Sequence, residues 1–179
     1  MLNNIIICGF GGQGVMAMGK TLAEAGMKEG MNVSWLPSYG PEMRGGTANC
    51  NVVLSSEPVI SPVVLECTEL IAMNKPSLLK FEKTLVPGGL LFVNSSIIEV
   101  KATRGDITAY YVPCNDIARE LGNDRVANMV MLGAYIEATK VLKVETIREM
   151  LAHIFTGPKA NLVELNIEAL RRGASCVHP

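Results

Sequence analysis

Charge is scarce in this sequence. Asp, Glu, Lys and Arg make up 18% of its 179 residues, against about 25% in typical soluble domains. The charges present nearly cancel, with a formal net charge of -1 and a pI of about 6.1. That balance argues against nucleic acid or an anionic membrane as partner. Histidine is also rare, and neither His153 nor His178 stands at metal-ligand spacing from other donors. Cys8, Cys50, Cys67, Cys114 and Cys176 occur singly, without any C-x-x-C. Neither an iron–sulfur nor a zinc site is indicated, and an odd set of unclustered thiols fits a reducing, cytoplasmic setting. Long apolar runs are missing too: no window approaches the ~20 residues of a membrane span. Met1-Leu2-Asn3-Asn4 runs straight into a strand and does not read as a signal peptide. Repeats, low-complexity tracts and linkers are absent, so residues 1–179 read as one α/β domain.

What the chain has in quantity is apolar surface. Hydrophobic residues are 49%, ten of them Met, and the mean hydropathy is +0.27. A small domain so poor in charge is expected to hide surface against partners, where charges are depleted. An oligomer, or a place in a larger assembly, follows; a compact monomer is the plainer alternative.

The strongest local pattern is Ile5-Ile6-Ile7-Cys8-Gly9-Phe10-Gly11-Gly12-Gln13-Gly14. A β-branched apolar run breaks into glycines, and an apolar-periodic segment follows toward Glu29. This predicts buried strand, tight turn and helix, a Rossmann-like start. Unpaired N–H groups and the positive end of the helix dipole then face whatever lies over the turn. The glycines satisfy G-x-G-x-x-G, but the second strand, Met31 to Pro37, offers no acid for a ribose, which weighs against NAD or FAD. Gly14 to Thr21 also matches the phosphate-loop pattern. There the spacer is helix material, and Lys20 falls about a turn and a half into the helix, away from a phosphate cradle. A turn whose glycines serve packing alone is the remaining reading.

The second dense stretch runs from Ser38 to Asn49. Gly40-Pro41 and Gly45-Gly46 are turn signals that flank Glu42 and Arg44. Ser38, Tyr39, Glu42, Arg44, Gly45, Gly46, Thr47 and Asn49 join Gly9, Gly11, Gly12, Gln13 and Gly14 as candidate ligand- or partner-facing residues. The loop is expected at the carboxyl end of the second strand, beside the glycine turn, where open α/β sheets bind ligands. A solvated connector with an incidental Glu–Arg pair is the bland alternative. No nucleophile–base pair or metal set emerges, so no catalytic residue is assigned within this chain.

Further strands are predicted at Cys50–Ser55, Leu70–Met73, Leu90–Val93 and Ile107–Val112. A helix opens at Asn74-Lys75-Pro76 and runs to Leu85, and Pro87-Gly88-Gly89 turns into the next strand. No long helix separates the last two strands, which suggests a mixed sheet. From Asp116 the chain is helical: a short helix ended by Gly122, an almost wholly apolar one over Val126–Val141, an amphipathic one over Val144–Phe155, and a last one from Leu162 to Arg172 capped by Gly173.

Taken together, the glycine turn and the Ser38–Asn49 stretch, with Ile71-Ala72-Met73-Asn74, Arg125-Val126-Ala127-Asn128-Met129 and Leu162-Val163-Glu164-Leu165-Asn166, resemble the gamma subunit, or gamma domain, of the 2-oxoacid:ferredoxin oxidoreductases. The resemblance implies a three-layer α/β/α fold with a mixed, mostly parallel sheet and a helical carboxyl-terminal third. It implies one subunit of an enzyme that oxidatively decarboxylates a 2-oxoacid such as pyruvate or 2-oxoglutarate. It further implies that thiamine diphosphate and magnesium are held mainly by other subunits, with alpha and beta subunits as partners. Iron–sulfur clusters sit on a delta-type partner that passes electrons to ferredoxin, and coenzyme A takes the acyl group. The gamma part binds none of these cofactors alone; it covers the active-site region and helps accommodate coenzyme A. An indolepyruvate oxidoreductase subunit is the alternative within the family, and a stand-alone dinucleotide-binding protein the alternative outside it.

Overall fold

The computed structural model describes residues 1–38 and 48–178. Six strands form one sheet: β1 (Leu2–Gly9), β2 (Asn32–Ser38), β3 (Ala48–Ser55), β4 (Cys67–Ala72), β5 (Leu85–Asn94) and β6 (Thr108–Val112). Their order is β2-β3-β1-β4-β5-β6. The helices are α1 (Val15–Lys28), α2 (Lys75–Phe81), α3 (Cys114–Glu120), α4 (Ala127–Thr139), α5 (Val144–Ile154) and α6 (Asn161–Ala174).

The sequence explains the centre of this sheet directly. β1 is buried without interruption from Ile5 to Gly9, as befits a strand covered on both faces. Ile5 and Ile7 join the larger core under α1, α3, α4, α5 and α6. Ile6 and Cys8 point the other way, into a smaller core closed by Leu78 of α2, Val64 and Ile98. The three layers are therefore unequal: five helices cover one face, and a single helix with irregular chain covers the other. α1 buries Val15, Met18, Leu22 and Ala25 at helical spacing. It ends where Gly30 turns to φ 81, with the Met31 N–H reaching back to Gly26 O at 2.9 Å.

The sheet is mixed, but not for the reason the sequence suggests. β5 and β6 pair in parallel, with Leu91 opposite Ala109 and Phe92 opposite Tyr110. Their connection crosses the thin face as irregular chain. It is held by Thr103 N–H donating to Glu82 Oε1 (2.7 Å) and Ala102 N–H donating to Tyr111 Oη (3.0 Å). A parallel return needs a crossover, and this one is built without a helix. The antiparallel member is β3, which pairs with β1 on one side and β2 on the other.

Two further expectations change. Pro87-Gly88-Gly89 is no turn before a strand; it lies inside β5 as an irregularity, since Cys67 pairs with Leu85 while Glu69 pairs with Leu90. α2 accordingly stops at Phe81, followed by one 3-10 turn over Glu82–Thr84. Gly173 does not cap α6; it lies within the helix, against α4. A Cβ there would fall 1.8 Å from Val130 O, and one at Gly133 of α4 would fall 2.0 Å from Leu170 O. Two glycines thus let α4 and α6 touch backbone to backbone.

Candidate functional site

The carboxyl ends of β1, β4, β5 and β6 meet on one edge. Gly9 closes β1 opposite Ala48, and Ser38 closes β2 opposite Asn49. The roots of the 39–47 loop are therefore beside the glycine turn, as the sequence predicts. Tyr39, Glu42, Arg44, Gly45, Gly46 and Thr47 themselves lie outside the described residues.

The glycine turn is held by its own glutamine. Gln13 Oε1 accepts from the Phe10 N–H at 2.6 Å, and Gln13 Nε2 donates to Met73 O at 2.9 Å. One side chain thus ties the turn to itself and to the end of β4. Gly12 and Gly14 stand at φ 89 and 76, left-handed conformations that glycine takes without strain. These two residues put the start of α1 at Val15. Gly14 then serves as its N-cap, with no side-chain cap and no acid in the first turn. The orphan N–H groups of that turn remain available to an anion.

Gly14 is constrained from the other side as well. Asn128, near the start of α4, is 8% exposed, and its Nδ2 is 3.5 Å from Gly14 O. A Cβ on residue 14 would come within 2.4 Å of that nitrogen. The sequence offers Asn128 only within a family-like stretch; a lone amide in an otherwise apolar helix is the signal that singles it out. Arg125 is a second residue missed as a site candidate. Its backbone N–H donates to Asn123 Oδ1 at 3.0 Å, which fixes the turn leading into α4. Its guanidinium is exposed and makes no ion pair or side-chain hydrogen bond among the described residues.

Gly12, Gln13, Met73, Asn115, Asp124 and Arg125 line a cleft of about 240 Å³ at this edge, so the Arg125 cation shares it with one carboxylate. Asn115 is held there by Asn94, whose Nδ2 donates to it at 2.7 Å. On the other side of Arg125 a groove of about 440 Å³ opens between α1, α4, α5 and α6. Arg125 lines both.

Burial pushes the Cys8 thiol far up, and the Cys50 and Cys67 thiols up to about 12 and about 11, so none supplies a thiolate nucleophile at neutral pH. No group of three or more His, Cys, Asp or Glu side chains gathers to hold a metal among the described residues. No described helix is long and apolar enough to cross a membrane. Lys20 lies within α1 and pairs with Glu24 at 3.6 Å, so it does not sit in a phosphate loop over the turn.

The fold and this edge define a Rossmann-like α/β domain of three layers, with a glycine turn and an uncapped helix start at the carboxyl ends of its strands. Comparison with known proteins gives the class a family. The family model described as "Pyruvate ferredoxin/flavodoxin oxidoreductase" matches residues 4–176, and the chain belongs to that family. It is 43% identical over 169 residues to the ketoisovalerate oxidoreductase subunit VorA of Methanothermobacter thermautotrophicus. That match covers 94% of this chain and 35% of the relative, so the chain spans about a third of VorA's length. The crystal structure of a keto/oxoacid ferredoxin oxidoreductase gamma subunit from Geobacter sulfurreducens superposes with a TM-score of 0.83 at 30% identity, over 98% of both chains. A 2-oxoglutarate:ferredoxin oxidoreductase from Magnetococcus marinus, with 2-oxoglutarate, coenzyme A and succinyl-CoA bound, superposes with a TM-score of 0.90 at 25% identity. It does so over 98% of this chain and 31% of that one.

Proposed function

We propose that the chain acts as the gamma subunit of a multisubunit 2-oxoacid:ferredoxin oxidoreductase. The assembly converts a 2-oxoacid to its acyl-CoA and passes the electrons to ferredoxin. The observation that carries this reading is an edge built to receive an anion yet lacking a catalytic set among the described residues. The uncapped first turn of α1 and Arg125, which has no ion pair among the described residues, lie at the clefts, while the buried thiols stay protonated.

In this reading alpha and beta partners hold thiamine diphosphate and magnesium, and a delta-type partner holds the iron–sulfur clusters. When bound, thiamine diphosphate supplies the carbanion chemistry of decarboxylation. This chain covers the active-site region and meets coenzyme A. Arg125 offers a phosphate a two-pronged contact that lysine cannot reproduce, and Arg44 of the neighbouring loop offers a second. The backbone amides at the start of α1 complete an anion-binding corner. The low charge content suits a chain that is part of an oligomer in the cell.

The test is turnover. The purified chain, given 2-oxoacids, coenzyme A, thiamine diphosphate and an artificial electron acceptor, is expected to show none. Robust turnover by this polypeptide alone refutes the subunit reading.

A further inference from the structure

We propose that the thinly covered face of the sheet docks a second copy of this chain, by a two-fold contact centred on residues 56–66 and α2. The inference does not depend on the gamma-subunit reading. Five helices cover the other face, whereas here residues 56–66 and the short α2 lie over the middle strands. Sheets of this largely parallel kind carry cover on both faces. Yet a groove of about 410 Å³ stays open between residues 57–63 and the start of β1, with Val53 and Ser55 of β3 also lining it.

The two most exposed large apolar side chains among the described residues stand here. Ile60 is wholly exposed and Leu65 is 79% exposed. Val63, Leu2 of β1 and Leu79 of α2 are exposed as well. Leu2 shares this face because side chains alternate along β1 and Ile6 and Cys8 belong to the thin-face core. Val64 and Leu78, the sequence neighbours of Leu65 and Leu79, are buried in that core and anchor both elements to the sheet. With the exposed Pro58 and Pro62, these side chains form an apolar area on the order of several hundred Å². That is well beyond scattered surface residues and approaches the ~800 Å² that each partner gives to a stable dimer.

Charge selects a second copy as the occupant. Ion pairs settle many charges of the helical face, such as Lys28 with Glu149, Arg171 with Glu168 and Arg172 with Glu120. On the thin face Glu57 and Glu66 are exposed on the 56–66 segment, and Lys75, Lys80 and Lys83 are exposed on α2 and the turn after it. None of these five makes an ion pair among the described residues. Acids and bases thus belong to different elements, and the apolar side chains stand on both. A partner of one charge sign would attract one group and repel the other. A two-fold axis lays the acidic segment of each copy against the basic helix of the other, so the surface is complementary to itself.

The test is sedimentation of the purified chain, with folding of each variant checked by circular dichroism. The 19.2 kDa chain is expected to run as a dimer. Ile60→Asp and Leu65→Asp, both at exposed positions, are expected to weaken the dimer about 30-fold or more, as loss of a central interface contact does. Glu57→Lys with Glu66→Lys in one protein, and Lys80→Glu with Lys83→Glu in another, are each expected to be largely monomeric where the wild type is dimeric. Mixing these two proteins is expected to restore a dimer, because each then meets the opposite charge on both elements. A wild-type chain that stays monomeric overturns the proposal, as does wild-type dimerisation by Ile60→Asp and Leu65→Asp. A mixture no more associated than its two parts also overturns it. A monomeric chain whose Ile60→Asp variant no longer joins thiamine-bearing partners gives this face to another subunit, and overturns the second copy as occupant.

Discussion

Gly133→Ala is expected to be among the most destabilising single substitutions in this protein. The new methyl would lie 2.0 Å from Leu170 O and 2.7 Å from Leu170 Cα and C, more than 1 Å inside ordinary contact. Both neighbours are helix backbone, so no rotamer change relieves the clash. α6 must move off α4, and its buried Ala169 and Leu170 lose contact with the core. Overpacking alone costs about 1–3 kcal/mol, and partial uncovering of an apolar side chain adds about 1–2 kcal/mol. A total of about 2–5 kcal/mol corresponds to a Tm lower by roughly 4–20 °C for a domain of this size. Gly173→Ala faces the mirror contact, 1.8 Å from Val130 O, and should cost a similar amount. The double variant should cost clearly less than the two singles together, because helices parted by one methyl accommodate the other. Gly105→Ala, with no atom within 4 Å of its Cβ position, is the control and should stay within about 0.5 kcal/mol of the parent. Urea unfolding of the four variants measures all of this. A Gly133→Ala protein as stable as the control would refute the backbone contact.

Other expectations follow from buried ionisable groups and from the turn. Glu69 is 6% exposed, and burial raises its pKa above the ordinary 4.5. The stability it contributes is therefore fully present below that ordinary value and is lost as pH rises through the raised one. Asn3 Nδ2 and Thr68 Oγ1 donate to its carboxylate, and Gln keeps an acceptor for Asn3. Glu69→Gln should thus gain stability relative to the parent as pH rises from 4 to 8, read from urea midpoints; a pH-independent difference would contradict the burial argument. Cys8, Cys50, Cys67 and Cys114 are fully buried, so a thiol reagent at pH 8 should label half-buried Cys176 first. Rapid labelling of Cys8 in folded protein would show that the β1–β4 core opens. Gln13→Ala removes both ties of the glycine turn and should cost about 1–3 kcal/mol; amide exchange at Phe10 should quicken, and unchanged exchange there would count against the tie.

How much of this was legible in the sequence depends on how local each feature is. Three consecutive isoleucines running into glycines determine β1, the turn and α1 within a few residues of one another, and the positive φ angles of Gly12 and Gly14 bear out the turn. The direction of β3 was not legible, because Cys50–Ser55 presents the same apolar run whichever way it pairs. Gly173 misled for a similar reason: a glycine after Arg171-Arg172 is the signal for a helix cap and equally for a close crossing, and only α4 decides between them. Arg125 and Asn128 are three residues apart, but they meet the glycine turn from a distant part of the chain, so no spacing rule joins them to it. The place of Lys20 inside α1 was legible, because the helix-forming spacer Val15-Met16-Ala17-Met18 already sets it away from a phosphate loop.

The central claim is that this chain completes an oxidoreductase that others catalyse. The most direct measurement is add-back. The alpha, beta and delta-type partners are purified without this chain, and the chain is titrated in while coenzyme A-dependent reduction of ferredoxin by a 2-oxoacid is followed. The account predicts little turnover from either part alone and activity that rises to a plateau at a fixed ratio of chain to partners. Full activity of the partners without it, or turnover by this chain without them, would contradict the account.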